Sequence, residues 1–219
     1  MAYRRTERVI QRLNARRDSV VAAAREIAGE NGLDAVQIVP VAARAGIAAG
    51  TVYRYFPSKH DLVAALIEGI TAQETAAIRQ AAAAAPGPLS SLAAGIVTFA
   101  GRISERRRLA WAVFAQPVDR EIEGLRLACH KSLVAELERL IAGAAGEHLP
   151  EQDAALAAVS VFGGLLAGLI GPLASAATDG KNMRETVQIL SLMALRALGV
   201  VDARARGLVV QAAWPAHAP

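Results

Sequence analysis

The sequence predicts an all-α protein, and three observations support this fold class. Of the 219 residues, 53% are hydrophobic and only 4% are aromatic. Alanine and leucine, which are strong helix formers, dominate the composition. Apolar residues also recur three and four positions apart, with glycine and proline between the periodic segments. So much apolar sequence excludes an intrinsically disordered chain.

The N-terminal part of the chain is expected to hold four helices. The first ends at the turn signal Asn31-Gly32. Its apolar face is formed by Leu13, Val20, Ala24 and Ile27. Two short helices follow over about 38–45 and 48–55, separated by Gly46. Ser58 and Asp61 form a capping box for a fourth helix that continues to about residue 85.

A second helical domain is predicted beyond Pro86-Gly87-Pro88, the clearest break in the chain. Its helices are expected over about 89–104, 105–115, 119–142, 151–177 and 182–198. The third of them has an apolar stripe of Ile122, Leu125, Cys129, Leu133, Leu137 and Leu140. The predicted organisation is therefore a basic arm (1–13), a head domain (14–74), a helical domain (88–200) and a mobile tail without clear periodicity (201–219).

The charge is concentrated at the N-terminal end. Residues 1–60 hold ten Lys/Arg and five Asp/Glu, whereas residues 61–219 hold fourteen and fifteen, which together give the net charge of +4. On a helix, side chains four residues apart share one face, so the arginines of the arm form a basic stripe. These are Arg4, Arg8, Arg12 and Arg16, with Arg5 and Arg17 beside them. The stripe indicates a polyanionic partner or, alternatively, a solvated arm without one.

Few residues suited to catalysis or metal binding occur in recognisable patterns. A single cysteine, Cys129, excludes an internal disulfide framework, and the four histidines lack paired metal-ligand spacing. We therefore expect no metal and no cofactor. The first residues are charged and precede no apolar run, so no signal peptide is predicted and a cytoplasmic location is expected.

The most specific pattern is IVPVAARAGIAAGTVYRYFP, residues 38–57. Two short helices that meet at a tight turn require a small residue at their contact and glycine at the turn, and Ala42 and Gly46 meet these needs. Thr51, Tyr53 and Arg54 are then left on the outer face of the second helix. A helix of this size fits the major groove of DNA.

The run G-T-V-Y-R-Y-F-P-S-K, with AAAREIAGENGLDAV before it, resembles the DNA-binding domain of the TetR/AcrR family of transcriptional regulators. The resemblance covers about residues 14–74. It implies DNA contacts at Gln37, Ala48, Ala49, Gly50, Thr51, Tyr53, Arg54, Tyr55 and Lys59. We expect further contacts from the arm, at Arg4, Arg5, Arg8 and Arg12.

The chain departs from the family pattern at a few positions. Gln37 stands where the family often has a capping Ser or Thr, and Ala48-Ala49 stands where Ser-Lys often occurs. Each lost cap is worth roughly 1 kcal/mol. The basic arm is the expected source of compensating contacts to the DNA backbone.

The resemblance further implies a ligand-responsive homodimer, most often a repressor, that binds a palindromic operator in double-stranded DNA. The helical domain would then enclose a small, mainly apolar effector. The candidate contacts are Phe99, Arg102, Trp111, Phe114, Cys129 and Phe162. The dimer is expected to form through the helices at about 151–177 and 182–198.

Two alternatives of other classes stay open. Residues 154–178 contain no charge and include the pair Gly164 and Gly168 of a GxxxG motif, so a membrane-anchored interaction protein is one alternative. The glycines and Pro172 favour a helix at a soluble interface instead, and no membrane partner is expected. The other alternative is a helical enzyme that acts on small molecules and keeps a vestigial DNA-binding head.

Overall fold

The computed structural model describes residues 2–146, 148–177 and 182–212, of which 2–11 and 175–177 are described by their backbone only. Within these ranges the chain is helical, as the composition predicts, apart from one isolated bridge between Ala145 and Leu149. The helices are α1 (Ala2–Asn31), α2 (Ile38–Arg44), α3 (Ala49–Tyr55), α4 (Lys59–Ala84), α5 (Pro88–Glu105), α6 (Arg107–Phe114), α7 (Arg120–Ala144), α8 (Ala154–Leu169), α9 (Gly171–Ala177), α10 (Met183–Ala197) and α11 (Asp202–Gln211). A short 3₁₀ turn covers Leu33–Ala35.

The head domain is formed by α1, α2, α3 and the first turns of α4. Helix α1 packs against α2, which in turn packs against α3, and the fully buried members of this core include Val20, Val41 and Val52. The predicted apolar face of α1 begins only at Val20, because Leu13 is 49% exposed. Leu13 therefore lies outside the core, although the spacing places it on the same helical face as Val20.

Helix α4 connects the head to the helical domain. Its N-terminus carries the predicted capping box: the Ser58 hydroxyl accepts from Asp61 N at 3.1 Å, and Asp61 Oδ2 accepts from Ser58 N at 3.0 Å. Leu66 and Ile70 are buried, and the later turns pack against α5 and α7. One continuous helix therefore extends from the head into the core of the second domain.

The helical domain is built around α5, α7, α8 and α10. Five of the six residues predicted for the stripe of α7 are buried, and Leu125 is half-buried. The close approach of α5 to α7 depends on Gly95, where a Cβ would lie 2.6 Å from Leu140 Cδ1. A larger residue at Gly95 would therefore push the two helices apart.

The single helix predicted at about 151–177 is instead two helices, α8 and α9. The chain turns at Ile170–Gly171, where Gly171 adopts φ +85°, a left-handed conformation that favours glycine. A Cβ on Gly171 would lie 2.8 Å from Trp111 Cζ3, so packing against α6 also requires glycine there. Among the described helices, none combines the length and the apolar character needed to cross a lipid bilayer.

The expectation that the segment after Val201 lacks regular structure is also wrong for its first part. Residues 202–211 form α11, whose Ala205, Leu208 and Val209 are buried against the helical domain. The helix is held to α10 by Asp202, which pairs with Arg196 as well as with Arg206. The rest of the predicted tail, 213–219, lies outside the described residues.

Candidate nucleic-acid interface and ligand region

Helices α2 and α3 meet at a tight turn centred on Gly46. This glycine adopts φ +67°, and Ile47 N donates to Ala42 O at 3.0 Å across the turn. Val41 of α2 and Val52 of α3 are fully buried in the hydrophobic core. Gly46 thus lies at the turn and Ala42 at the contact between the two helices, as predicted for a helix-turn-helix.

The outer face of α3 carries the side chains predicted to read DNA. Tyr53 is 51% exposed, Arg54 is exposed, and Thr51 is half-buried. On the inner side, Phe56 is buried, and Tyr55 is half-buried between core and surface. The exposed phenol and guanidinium, with the half-buried hydroxyl of Thr51, can donate hydrogen bonds to base edges and phosphates.

The departures from the family pattern leave both short helices without side-chain caps. Gln37 and Ala48 occupy the cap positions of α2 and α3, and neither accepts a capping hydrogen bond. The Gln37 amide instead donates to Asp34 O at 2.9 Å, within its own turn. Gln37 is exposed, as are Ala48 and Gly50, whereas Ala49 is half-buried.

The basic residues of the head divide into paired and unpaired groups. Arg44 is bound by Glu30 at 2.8 Å and by Glu26 at 3.2 Å, and its hydrogen bond to Glu30 lowers the pKa of that carboxyl. The Arg17 guanidinium lies 5.3 Å from the ring centroid of Phe56, a cation–π contact that fixes it to the head.

Other basic residues of the head are placed to meet a polyanion. Arg12 and Arg16 are exposed on α1, and Lys59 is half-buried at the N-terminus of α4. The backbone of the arm continues α1 without a break, so the predicted stripe lies on one helix. The side chains of Arg4, Arg5 and Arg8 lie outside the described residues.

The six side chains predicted to contact an effector do not gather in one place. Phe99 and Phe162 stack with ring centroids 5.7 Å apart, and Phe114 lies in the same cluster. All three are buried. Trp111 packs against Gly171 at another location, and Cys129 faces α4, where its Sγ lies 2.7 Å from Thr71 Oγ1. Burial raises the pKa of the Cys129 thiol to about 11.

Arg102 is committed to an ion pair with Glu74 of α4. Its Nε and Nη2 donate to the two carboxylate oxygens at 2.6 and 2.9 Å, and Glu74 is 4% exposed. This bidentate contact, together with the opposing effect of burial, leaves the pKa of Arg102 raised. An acidic ligand would have to displace Glu74 to reach Arg102.

Sequence reasoning missed His130, which lies inside the aromatic cluster. Its ring centroid is 5.1 Å from that of Phe162 and 6.0 Å from that of Phe114. Burial, with the nearby charge of Arg126, lowers the pKa of His130, so the imidazole is neutral at pH 7. Its Nε2 is buried without a hydrogen-bond partner among the described residues. No spacing in the sequence indicates this, because the contacts come from α6 and α8.

Gln116 joins the helical domain to the head and was likewise missed. Its Oε1 accepts from Leu33 N at 3.1 Å, and its Nε2 donates to Asp34 Oδ2 at 3.2 Å. Gly32, with φ +83°, makes room for this amide, since a Cβ there would lie 2.7 Å from Gln116 Oε1. The loop after α6 is therefore bonded to the turn after α1.

Comparison with known proteins agrees with this geometry. Residues 20–66 match the model of the bacterial regulatory proteins of the tetR family. This segment contains α2 and α3, together with Thr51, Tyr53, Arg54 and Lys59. The head of this chain is therefore similar to the tetR family over residues 20–66. The HTH-type transcriptional repressor KstR of Mycolicibacterium smegmatis is 54% identical over 52 residues, which span 23% of this chain and 26% of that repressor.

Solved structures extend the tetR-family resemblance beyond the head. The structure of RolR in complex with the ligand resorcinol covers 91% of this chain and 95% of that one, with 25% identity and a TM-score of 0.62. The transcriptional regulator FadR of Bacillus subtilis, in complex with stearoyl-CoA, covers 84% and 97%, with 23% identity and a TM-score of 0.68. The chain therefore has the fold of these two proteins over most of its length.

Proposed function

We propose that this protein is a homodimeric transcriptional regulator that binds a palindromic operator and is released from it by a small-molecule effector. The observation that carries the proposal is the outer face of α3, where Thr51, Tyr53 and Arg54 stand on a helix-turn-helix of the tetR family. The matched relative KstR is a transcriptional repressor, and repression is the proposed sign of regulation here. A regulator that binds chromosomal DNA acts in the cytoplasm.

In this proposal α3 enters the major groove, and its exposed side chains contact base edges. Lys59, at the N-terminus of α4, contacts a phosphate, because the free N–H groups at that end of the helix also attract anions. The arginines of the arm add contacts that depend strongly on salt. Deleting residues 1–12 should therefore lower the affinity for DNA and flatten its salt dependence, and an unchanged salt slope contradicts a role for the arm.

The second copy of the chain is proposed to cover the outer face of α8 and α10. This face is apolar and exposed: Leu156 is 67% exposed, and Val159 and Met193 are 55% and 56% exposed. Glycines on α8 allow close approach, and at Gly168 a Cβ would already lie 2.7 Å from Leu190 Cδ2 of α10. Pairing α8 and α10 of one copy with those of the other forms a four-helix contact. In this dimer the two heads are proposed to lie about 34–36 Å apart, the distance between half-sites separated by one turn of DNA.

The interface proposal predicts the effect of a charge at its centre. Val159→Asp should convert the dimer to a monomer, because the carboxylate would be buried without a partner. Ala203→Asp, on the exposed side of α11, is the matched control and should stay dimeric. Sedimentation equilibrium distinguishes the two states. A wild-type chain that is monomeric at micromolar concentration contradicts the proposal.

The effector is proposed to bind in the helical domain, as resorcinol is the ligand of RolR. A ligand lowers DNA affinity only if it binds more tightly to the conformation in which the heads are wrongly spaced. A coupling of roughly 1–3 kcal/mol corresponds to a 5- to 150-fold loss of operator affinity. The six predicted effector contacts remain a prediction in this scheme.

Selection of bound duplexes from a random pool tests the DNA-binding proposal. We expect recovery of one inverted repeat with half-site centres about one helical turn, roughly 10 base pairs, apart. Recovery of sequences without symmetry, or no preference over bulk DNA at moderate salt, contradicts it. Catalytic turnover of a ligand that is bound by the helical domain would favour the enzyme alternative.

A further inference from the structure

The loop that joins α6 to α7 is bonded to the head by the side-chain amide of Gln116. Its Oε1 accepts from Leu33 N at 3.1 Å, and its Nε2 donates to Asp34 Oδ2 at 3.2 Å. Leu33 and Asp34 belong to the 3₁₀ turn between α1 and α2. One amide therefore bonds a backbone group and a side chain of the head at the same time.

The backbone of Gln116 is itself held on two sides. Its N–H donates to Trp111 O of α6 at 2.8 Å, and its carbonyl oxygen accepts from the guanidinium of Arg126 on α7. Pro117 follows, and a proline limits the conformations that are open to the residue before it. The side chain that bonds the head thus extends from a fixed point of the helical domain.

The turn of the head has the shape that this amide requires. Gly32 adopts φ +83°, and a Cβ there would lie 2.7 Å from Gln116 Oε1. A larger residue at position 32 would therefore oppose both the backbone conformation and the place of the amide. The contact depends on a glycine in the head as much as on a glutamine in the loop.

Other contacts between the head and the helical domain restrict its orientation less. Helix α1 packs against α6, but apolar packing is non-directional. The Arg25 guanidinium donates to Gln73 Oε1 at 2.6 Å, and this bond joins α1 to α4, the helix that already carries the head. His60 Nδ1 of α4 lies 3.5 Å from Glu121 Oε2 of α7, too far for a hydrogen bond. The directional bonds to α6 and α7 described here are thus those of Gln116.

We propose that Gln116 is a positioning residue that fixes the orientation of the head on the helical domain. Two directional bonds to neighbouring points of one turn hold that turn in a single orientation. A second part rests on the proposed function: Gln116 also limits the half-site spacing that the dimer accepts. One added base pair moves a half-site by about 3.4 Å and rotates it by roughly 34° about the DNA axis, so a head must change its orientation to follow.

Distances between spin labels test the positioning role without DNA. The labels are attached at Val39→Cys of α2 and Ala203→Cys of α11, both exposed, in a chain whose buried Cys129 is replaced by alanine. Double electron–electron resonance on samples diluted with unlabelled chain gives the distribution of the distance within one copy. We expect a narrow distribution for this labelled chain and a wider one when Gln116→Ala is added. Gln80→Ala removes an exposed amide of α4 as the matched control and should leave the distribution narrow.

A charge substitution assigns the effect to the contact with Asp34. Gln116→Glu keeps the shape of the side chain but brings a second carboxylate to Asp34 Oδ2, so it should widen the distribution as Gln116→Ala does. Adding Asp34→Asn to Gln116→Glu restores a donor and an acceptor between the two side chains and should narrow the distribution again. A role in packing alone predicts neither the widening nor the rescue.

Operators of altered spacing test the second part. The operator selected from the random pool is compared with versions that are one base pair longer or shorter, and with a duplex that contains one half-site. To bind an altered spacing the wild type must break bonds of Gln116, which Gln116→Ala lacks. The loss of affinity on altered spacing should therefore be roughly two- to tenfold smaller in the variant, the effect of one neutral hydrogen bond. Affinity for the single half-site should be unchanged, because α3 is untouched.

Two results overturn the positioning role: distributions of the same width with and without Gln116→Ala, and failure of Asp34→Asn to restore a narrow distribution in Gln116→Glu. An equal loss of affinity on altered spacing in variant and wild type, or a weakened single half-site, overturns the role in spacing. Failure of the proposed function has a different signature. No operator is then selected from the random pool, whereas the label distances still respond to Gln116→Ala.

Discussion

Replacing Arg102 with methionine should strongly destabilise the protein, because it leaves Glu74 buried without its counter-ion. The guanidinium forms two hydrogen bonds with that carboxylate, at 2.6 and 2.9 Å, and Glu74 is 4% exposed. Opposite charges about 4 Å apart attract by roughly 4 kcal/mol at an effective dielectric constant of 20. Removal of one partner of a buried pair costs about 3–5 kcal/mol, and we expect a loss of this size for Arg102→Met.

The double variant Glu74→Met/Arg102→Met distinguishes loss of the pair from loss of packing. Both side chains are then apolar and of similar length, so stability should return to within about 1 kcal/mol of the wild type. Arg206→Met removes an exposed partner of Asp202 and should change little.

Urea unfolding at one fixed protein concentration provides the measurement, since dimerisation makes stability depend on concentration. The reasoning is refuted if Arg102→Met costs no more than Arg206→Met. It is also refuted if the double variant is as unstable as the sum of its two single variants, because the charges would then not be coupled.

Further predictions concern the head, two glycines and one carboxylate. Arg54→Ala should weaken operator binding by about 1–3 kcal/mol and leave random-sequence DNA unaffected in fluorescence anisotropy, and an equal loss on both would assign Arg54 to phosphate alone. In urea unfolding, Gly124→Ala, at an exposed position of α7, should stabilise the protein by about 0.5–1 kcal/mol. Gly171→Ala should destabilise by about 1–3 kcal/mol, because φ +85° and Trp111 both oppose a Cβ there. Burial opposes ionisation of Glu136, but hydrogen bonds from two arginines outweigh it and lower its pKa below 4.5. As the pH falls, the unfolded state therefore takes up a proton first, and the free energy of unfolding should decrease below about pH 4.5. Glu136→Gln should weaken this pH dependence, and an identical pH profile for the variant and the wild type contradicts the reasoning.

Local sequence signals predicted the head domain well. The spacing of Val20, Ala24 and Ile27 indicated the buried face of α1, and Gly46 indicated the turn between α2 and α3. The capping box at Ser58 marked the start of α4 at the residue where the structure has it. Such signals succeed because caps, turns and amphipathic faces are decided within a few residues of chain.

The break between α8 and α9 is an example of what local signals could not decide. Gly171 and Pro172 were visible in the sequence, but both also occur within longer helices. Trp111, sixty residues earlier, occupies the space beside Gly171, and its packing fixes the turn. In the same way, α11 has only three buried residues at helical spacing, too few to stand out, and it is stabilised by docking on the helical domain.

The ligand region shows the same limitation most clearly. Six candidate side chains were chosen by residue type, and the structure separates them into the aromatic cluster, the pair of Arg102 with Glu74, and the surroundings of Trp111 and Cys129. The place of His130 in the aromatic cluster was not predicted, because the sequence does not show whether a histidine on an amphipathic helix will have a hydrogen-bond partner.

The sequence by itself determined the helical composition, the helix-turn-helix with its outward Thr51, Tyr53 and Arg54, and the basic N-terminal stripe. Each of these depends on residue type and on spacing along one segment. Only the tertiary structure decided which polar atoms are paired, where spaces remain between helices, and which glycines are obligatory. Those properties depend on contacts between segments far apart in the chain, such as Arg79 with Glu136 and Gln116 with the turn after α1, and no periodicity within one segment encodes them.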